Sequence, residues 1–155
     1  MKINIVTCRP KDHPFPILSW AIRFFQKTDY SHFAIQFGNM VLDATGKDVR
    51  LSNSIEFYTR YKVSNKYEIE IDSDYESFSS WCSLFLNRSY GYFQIIGLLL
   101  MIMGLFKKNP FGRGIERLIC NELVILLLKD FKDLKVEDSD DFDLVQTETI
   151  VKEFI

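Results

Sequence analysis

Cys120 stands just inside the start of an apolar run that reads as a helix over residues 116–131. The first turn of a helix presents unpaired backbone N–H groups and a partial positive charge, and both favour thiolate over thiol. A thiolate there is a candidate nucleophile, with backbone donors nearby for a developing oxyanion. The competing reading is a small buried hydrophobe, the ordinary role of an isolated cysteine in an apolar helix. His32 alone is an equally weak signal, since a lone histidine at a strand end is more often structural. Asp43 raises it, because a carboxylate beside an imidazole fixes its tautomer and stabilises its protonated form. Cys8 and Cys82 have no base near them in sequence and read as structural, and His13, set close to Pro14 and Pro16, reads as a loop residue.

A hairpin decides whether His32 and Asp43 can meet. Residues 31–37 and 40–45 are strand-like, and Gly38-Asn39 between them has glycine first, the pattern of a two-residue II′ turn. If Gly38-Asn39 is the loop, Phe37 pairs with Met40, Ala34 lies opposite Asp43 and His32 lies opposite Thr45. One face then carries His32, Ala34, Gln36, Val41, Asp43 and Thr45. The other carries Phe33, Ile35, Phe37, Met40, Leu42 and Ala44, and must be core. His32 and Asp43 become diagonal neighbours within side-chain reach, an outcome that a one-residue slip would abolish. Asp43 could equally open a turn through Ala44-Thr45-Gly46.

The remaining chain supplies the frame. Residues 2–8 read as a strand, 9–16 as a proline-rich loop, and 17–27 as an amphipathic helix with Ile17, Trp20, Ala21, Phe24 and Phe25 at helical spacing. Segments 49–51 and 67–71 look like further strands. Residues 74–87 predict a helix with Phe78, Trp81, Cys82 and Phe85 inward, and 109–114 a glycine-rich loop. The helix over 116–131 is apolar on every side, so it should be central and buried. Six acids between 133 and 143 are too irregular for a calcium loop and read as a solvated linker.

Length and composition bound the answer. A chain of 155 residues predicts one domain spanning 1–155, and 47% hydrophobic content excludes intrinsic disorder. A net charge of −2 argues against a nucleic-acid partner. Three cysteines at these spacings and two histidines make a metal site unexpected, and free thiols point to a reducing compartment. Residues 1–10 do not read as a signal peptide, so the expectation is a cytoplasmic protein, or one delivered by lysis or injection. The apolar stretch 92–106 has 15 residues, about 22 Å as a helix, against a hydrocarbon core of about 30 Å. It is too short to span. It reads as a buried helix or hairpin, or else as a peripheral membrane contact helped by Lys107 and Lys108.

Taken together, Ile17-Leu18-Ser19-Trp20-Ala21-Ile22-Arg23-Phe24-Phe25, Tyr30-Ser31-His32-Phe33-Ala34-Ile35 and Cys120-Asn121-Glu122-Leu123-Val124 resemble the circularly permuted, NlpC-like papain-fold hydrolases of the YiiX and YaeF type. The family has an amphipathic helix leading into a Ser-His-hydrophobic strand, a polar third residue about a dozen positions on, and Cys-Ser-Glu-Leu-Val at the nucleophile helix. Asp43 comes 11 residues after His32, and the order His, acid, Cys is the permuted one. Asn121 replaces the family's Ser, and Tyr90-Gly91-Tyr92 stands where the family often has Tyr-Asp. The resemblance implies an α+β papain-like fold, with an antiparallel sheet packed against the Cys120 helix. It implies a cysteine hydrolase with Cys120 as nucleophile, His32 as base and Asp43 as orienting acid, needing no cofactor. Tyr90 and Gln36 are the candidates for the substrate or oxyanion site. The expected substrate is an amide, such as a cell-wall peptide link. The alternatives are a lipid-directed acyl transfer, similar to the lecithin retinol acyltransferase group, or a catalytically silent module of a phage particle or toxin.

Overall fold

The computed structural model describes residues 1–11, 16–111, 117–136 and 142–155. The elements run β1 (Lys2–Pro10), α1 (Pro16–Gln26), β2 (His32–Phe37), β3 (Met40–Ala44), β4 (Val49–Asn53), α2 (Ser54–Arg60) and β5 (Tyr61–Glu70). They continue with α3 (Tyr75–Ser83), β6 (Ser89–Tyr90), α4 (Tyr92–Ile102), β7 (Arg117–Leu118), α5 (Cys120–Lys132) and α6 (Leu144–Lys152). The protein is therefore mixed α and β. Its main sheet is antiparallel with strand order β4-β3-β2-β1-β5, and β6 and β7 form a separate parallel pair. His13 lies outside the described residues, as do four of the six acids between 133 and 143.

The hairpin has the expected register: Phe37 faces Met40 and Ala34 faces Asp43. Gly38 has φ of +53°, and Asn39 is not among the positive-φ residues, as a II′ turn requires. Asp43 belongs to β3 itself, so the turn begins after it, where Thr45 N–H donates to Asp48 O at 2.9 Å. Phe33, Ile35, Phe37, Leu42 and Ala44 enter the large core under α5. The opposite face is not open to solvent as an alternating pattern would suggest. Val6, Cys8, Ala34, Val41 and Phe57 form a second, smaller core there, roofed by α2. That roof is why Asp43 has no exposed surface at all.

Helix α5 starts at Cys120 rather than at 116, because 117–118 are extended as β7. Leu123, Val124, Ile125, Leu127 and Leu128 are all buried, worth about 1.5–3 kcal/mol each, and the helix packs against β2, β3 and α6. Helix α3 turns Phe78, Trp81 and Cys82 inward as expected, with Phe85 buried just beyond its end, and Asp74 caps it by accepting from Ser77 N–H at 2.7 Å. Helix α6 is an element that hydropathy does not announce. Its Tyr30 and Tyr67 partners hold it through Glu148, Tyr30 Oη donating to the carboxylate at 2.9 Å.

Helix α1 forms where the sequence predicts the amphipathic helix over 17–27, with its most apolar side uncovered. Its inward residues are Leu18, half-buried, and Ile22, buried, whereas Ile17, Trp20 and Phe24 are 75%, 55% and 62% exposed. Apolar periodicity marked a face correctly, but that face points away from the core. No helix among the described residues is long and apolar enough to cross a membrane.

Candidate active site

Two short strands bring the nucleophile to the histidine. Tyr90 pairs with Leu118 in the parallel β6–β7 pair, and Asp48 bridges to Ser89, so the β3–β4 connection, Tyr90 and the approach to Cys120 are tied together. Cys120 is then the first residue of α5. Glu122, three residues after the helix cap, accepts the Ile119 N–H at 2.9 Å, half of a capping box. Its other oxygen accepts from Gln94 Nε2 at 3.0 Å, and Asn109 Nδ2 donates to Gln94 O at 3.0 Å. This buried chain of polar groups fixes the start of α5 against α4. Gly97 is required beside it, since a Cβ there would overlap the Asn109 amide. Asn121 donates to Phe142 O and ties the same turn to the segment before α6.

After burial, the neighbouring His32 imidazole acts most strongly on the Cys120 thiol, with smaller contributions from the backbone donors at Phe33 and Asn121. Burial pushes the thiol up, but the imidazolium and these donors outweigh it, so Cys120 titrates below its ordinary value. His32 is the mirror image. Burial disfavours its charged form, yet the thiolate and Asp43 prevail and raise it to about 9. Each group therefore favours the charged form of the other.

His32 Nε2 lies 3.8 Å from Asp43 Oδ2, which leaves Nδ1 for the thiol. Neither of those facing atoms has another hydrogen-bond partner. The separation is ion-pair range rather than hydrogen-bond range, and such contacts in free enzymes commonly tighten with substrate. Asp43 Oδ1 is held from the other side by Arg50 Nε at 3.4 Å. Arg50 sits directly opposite Asp43 in the β3–β4 register. Tyr61 stacks on the His32 ring at 5.3 Å between centroids and on Phe57 at 4.6 Å. A π-face against an imidazole favours its cationic form.

A cleft of about 290 Å³ opens at this point, walled by Leu18, Ser19 and Ile22 of α1, by His32, and by Tyr61 and Tyr90. A narrower one, about 20 Å³, reaches Cys120 between α1 and α4. Ile22, Ser31 and Tyr90 border both, so the two clefts adjoin, with His32 on the larger and Cys120 on the narrower. Ser19 and Ser31 share a hydrogen bond of 2.7 Å on the cleft wall. Burial first, then the charge of Cys120, pushes the Tyr90 phenol well up, so it stays a donor at neutral pH.

The hairpin and α5 thus bring Cys120, His32, Asp43 and Tyr90 together. Gln36 they do not. It lies two pairs further along the hairpin, where Tyr58 donates to its carbonyl and its own amide donates to Gly38 O at 3.3 Å. Gln36 therefore borders neither cleft, and its expected place at the substrate or oxyanion site is not the observed one. Sequence reasoning missed Arg50, Tyr61 and the Ser19–Ser31 pair. A signal for Arg50 existed: a four-residue loop over 45–48 sets it opposite Asp43. Cys8 faces His32 across β1 and β2, and burial raises its thiol well above the ordinary value, which leaves it a packing residue. Among the described residues no cluster of His, Cys, Asp or Glu could hold a metal ion. Neither a family model nor a curated relative matches the chain.

Proposed function

We propose that the protein is a cysteine hydrolase of permuted papain-like architecture, cleaving an amide or ester through a thioester acyl-enzyme. The observation that carries this reading is the electrostatic pairing of buried Cys120 with buried His32, each bordering one of two adjoining clefts, with Asp43 3.8 Å behind the imidazole. The Cys120 thiolate attacks the carbonyl carbon and the π electrons move to oxygen. The oxyanion forms beside the Cys120 N–H, which as the first helical residue has no partner within the helix, and near the Tyr90 hydroxyl. The intermediate collapses, the bond to the leaving group breaks, and His32 Nδ1 gives that group its proton. Water then attacks the thioester with neutral His32 as base, and the thiol is regenerated. Chain order and architecture support the same assignment: histidine and acid on a hairpin, the cysteine at the head of a later helix packed on that sheet.

The test is a neutral activated ester, p-nitrophenyl acetate, with released phenol followed against time and the protein weighed intact. A burst is expected, with an acetyl adduct that maps to Cys120 and then decays. Labelling elsewhere, or no adduct, would remove the proposal. The pH dependence adds a second check. Acetylation requires thiolate and imidazolium, so kcat/KM should rise as Cys120 deprotonates, below its ordinary value, and fall again through about 9 as His32 loses its proton. Alkylation by iodoacetamide requires only the thiolate and should show no alkaline fall.

A further inference from the structure

Eleven of the sixteen large apolar side chains exposed among the described residues lie in two segments, 17–25 and 92–111. The first is the outer face of α1, and the second covers the outer face of α4 and the stretch of chain just after that helix. The two helices are neighbours, and together they wall the narrower cleft with Ile22 and Gln26 on one side and Ile95, Leu98 and Leu99 on the other. Their outer faces carry interfacial residue types: Trp20 stacked on Phe24 at 5.1 Å, Phe24 against Phe25, and Phe93 against Phe111. A second observation is the charge. Residues 16–28 and 91–111 hold Arg23, Lys27, Lys107 and Lys108 and no acid, whereas the whole chain nets −2. Everything outside those segments therefore nets −6. The apolar surface of this acidic protein is thus the part of its described chain that carries no acid and a local charge of +4, and no helix there is long and apolar enough to cross a bilayer.

We infer that α1 and α4 form a docking face for an anionic lipid bilayer, lying in its interface without crossing it. The aromatic side chains enter the headgroup boundary, and Lys107 and Lys108, both exposed, meet anionic headgroups. A second copy of this chain is the less fitting occupant, because two such faces would bring their cations together. The inference does not depend on the hydrolase reading.

The experiment is flotation of the full chain with phosphatidylcholine vesicles, with and without phosphatidylglycerol, together with tryptophan fluorescence. The two tryptophans report separately. Trp20 is exposed, whereas Trp81 is largely buried and donates to Asp130 at 2.7 Å. Flotation is expected with phosphatidylglycerol and not without it, weakened by salt, with a blue shift carried by Trp20 and retained in Trp81→Phe. Trp20→Gln with Phe24→Gln should lower partitioning about tenfold or more. Lys107→Glu with Lys108→Glu should remove the preference for anionic lipid. These are surface changes, so an unchanged melting temperature and circular dichroism spectrum verify the fold. Absence of flotation, flotation that both double variants retain, or a lipid-free dimer that shields Trp20 would each overturn the inference.

Discussion

His32→Ala is expected to lower hydrolytic turnover about 10³-fold, within the range that a positioned acid–base group contributes. It is also expected to slow alkylation of Cys120 at neutral pH about tenfold or more. The reason is local. Without the imidazolium, the sulfur keeps only the Phe33 and Asn121 N–H donors, while burial still pushes its titration upward. The fold should survive, because Asp43 retains Arg50 and the hairpin register rests on Gly38 and the Phe33, Ile35 and Phe37 face. Turnover is measured as phenol release and alkylation as loss of unlabelled Cys120 peptide. A variant with wild-type turnover would place the base elsewhere.

Asp43→Asn is the second large effect, expected at about 10² in turnover with the carboxylate's volume conserved. Asp43 acts through His32, so its signature lies in the pH profile. Burial opposes the imidazolium, and the Asp43 carboxylate is one of the groups that reverse this, so removing its charge should move the alkaline limb below the value of about 9. A purely structural residue would change the melting temperature and leave that limb where it was. Arg50→Ala separates the two roles. It leaves a carboxylate with no exposed surface without its cation, expected to cost about 2–3 kcal/mol in urea unfolding. The lower part of that range is expected, because Arg50 itself is more than a third exposed and solvent already screens the pair.

The site was legible where local rules decide geometry. A glycine-first turn fixed the hairpin register, and period-two alternation then fixed which side chains share a face, so Asp43 and His32 could be put together from the residues alone. The groups behind them were not legible in the same way. Arg50 depends on the next hairpin's register, Tyr61 on the return of β5 after α2, and Tyr90 on a two-residue parallel pairing across a sequence separation of 28. Hydropathy gave the helix α1 but not which of its sides is covered. Periodicity reports that one side of a helix is apolar, not that this side is covered, and here the covered side is Leu18 and Ile22. The start of α5 moved from 116 to 120 because 117–118 pair with β6, a non-local contact that no propensity anticipates. That shift sets Cys120 at the first helical position, where the N-terminal donors are.

Alkylation of wild-type Cys120 by iodoacetamide across pH, resolved peptide by peptide, bears most directly on the thiolate–imidazolium pair. Cys8 and Cys82 are internal references. Both are buried, which holds Cys8 well above the ordinary thiol value and pushes Cys82 up to about 12. Paired as described, Cys120 should react with a midpoint below the ordinary thiol value of about 8.5, and at neutral pH far ahead of the other two. A Cys120 that reacts no faster than Cys8, or only with a midpoint at or above that ordinary value, would contradict the ion pair and the nucleophile with it.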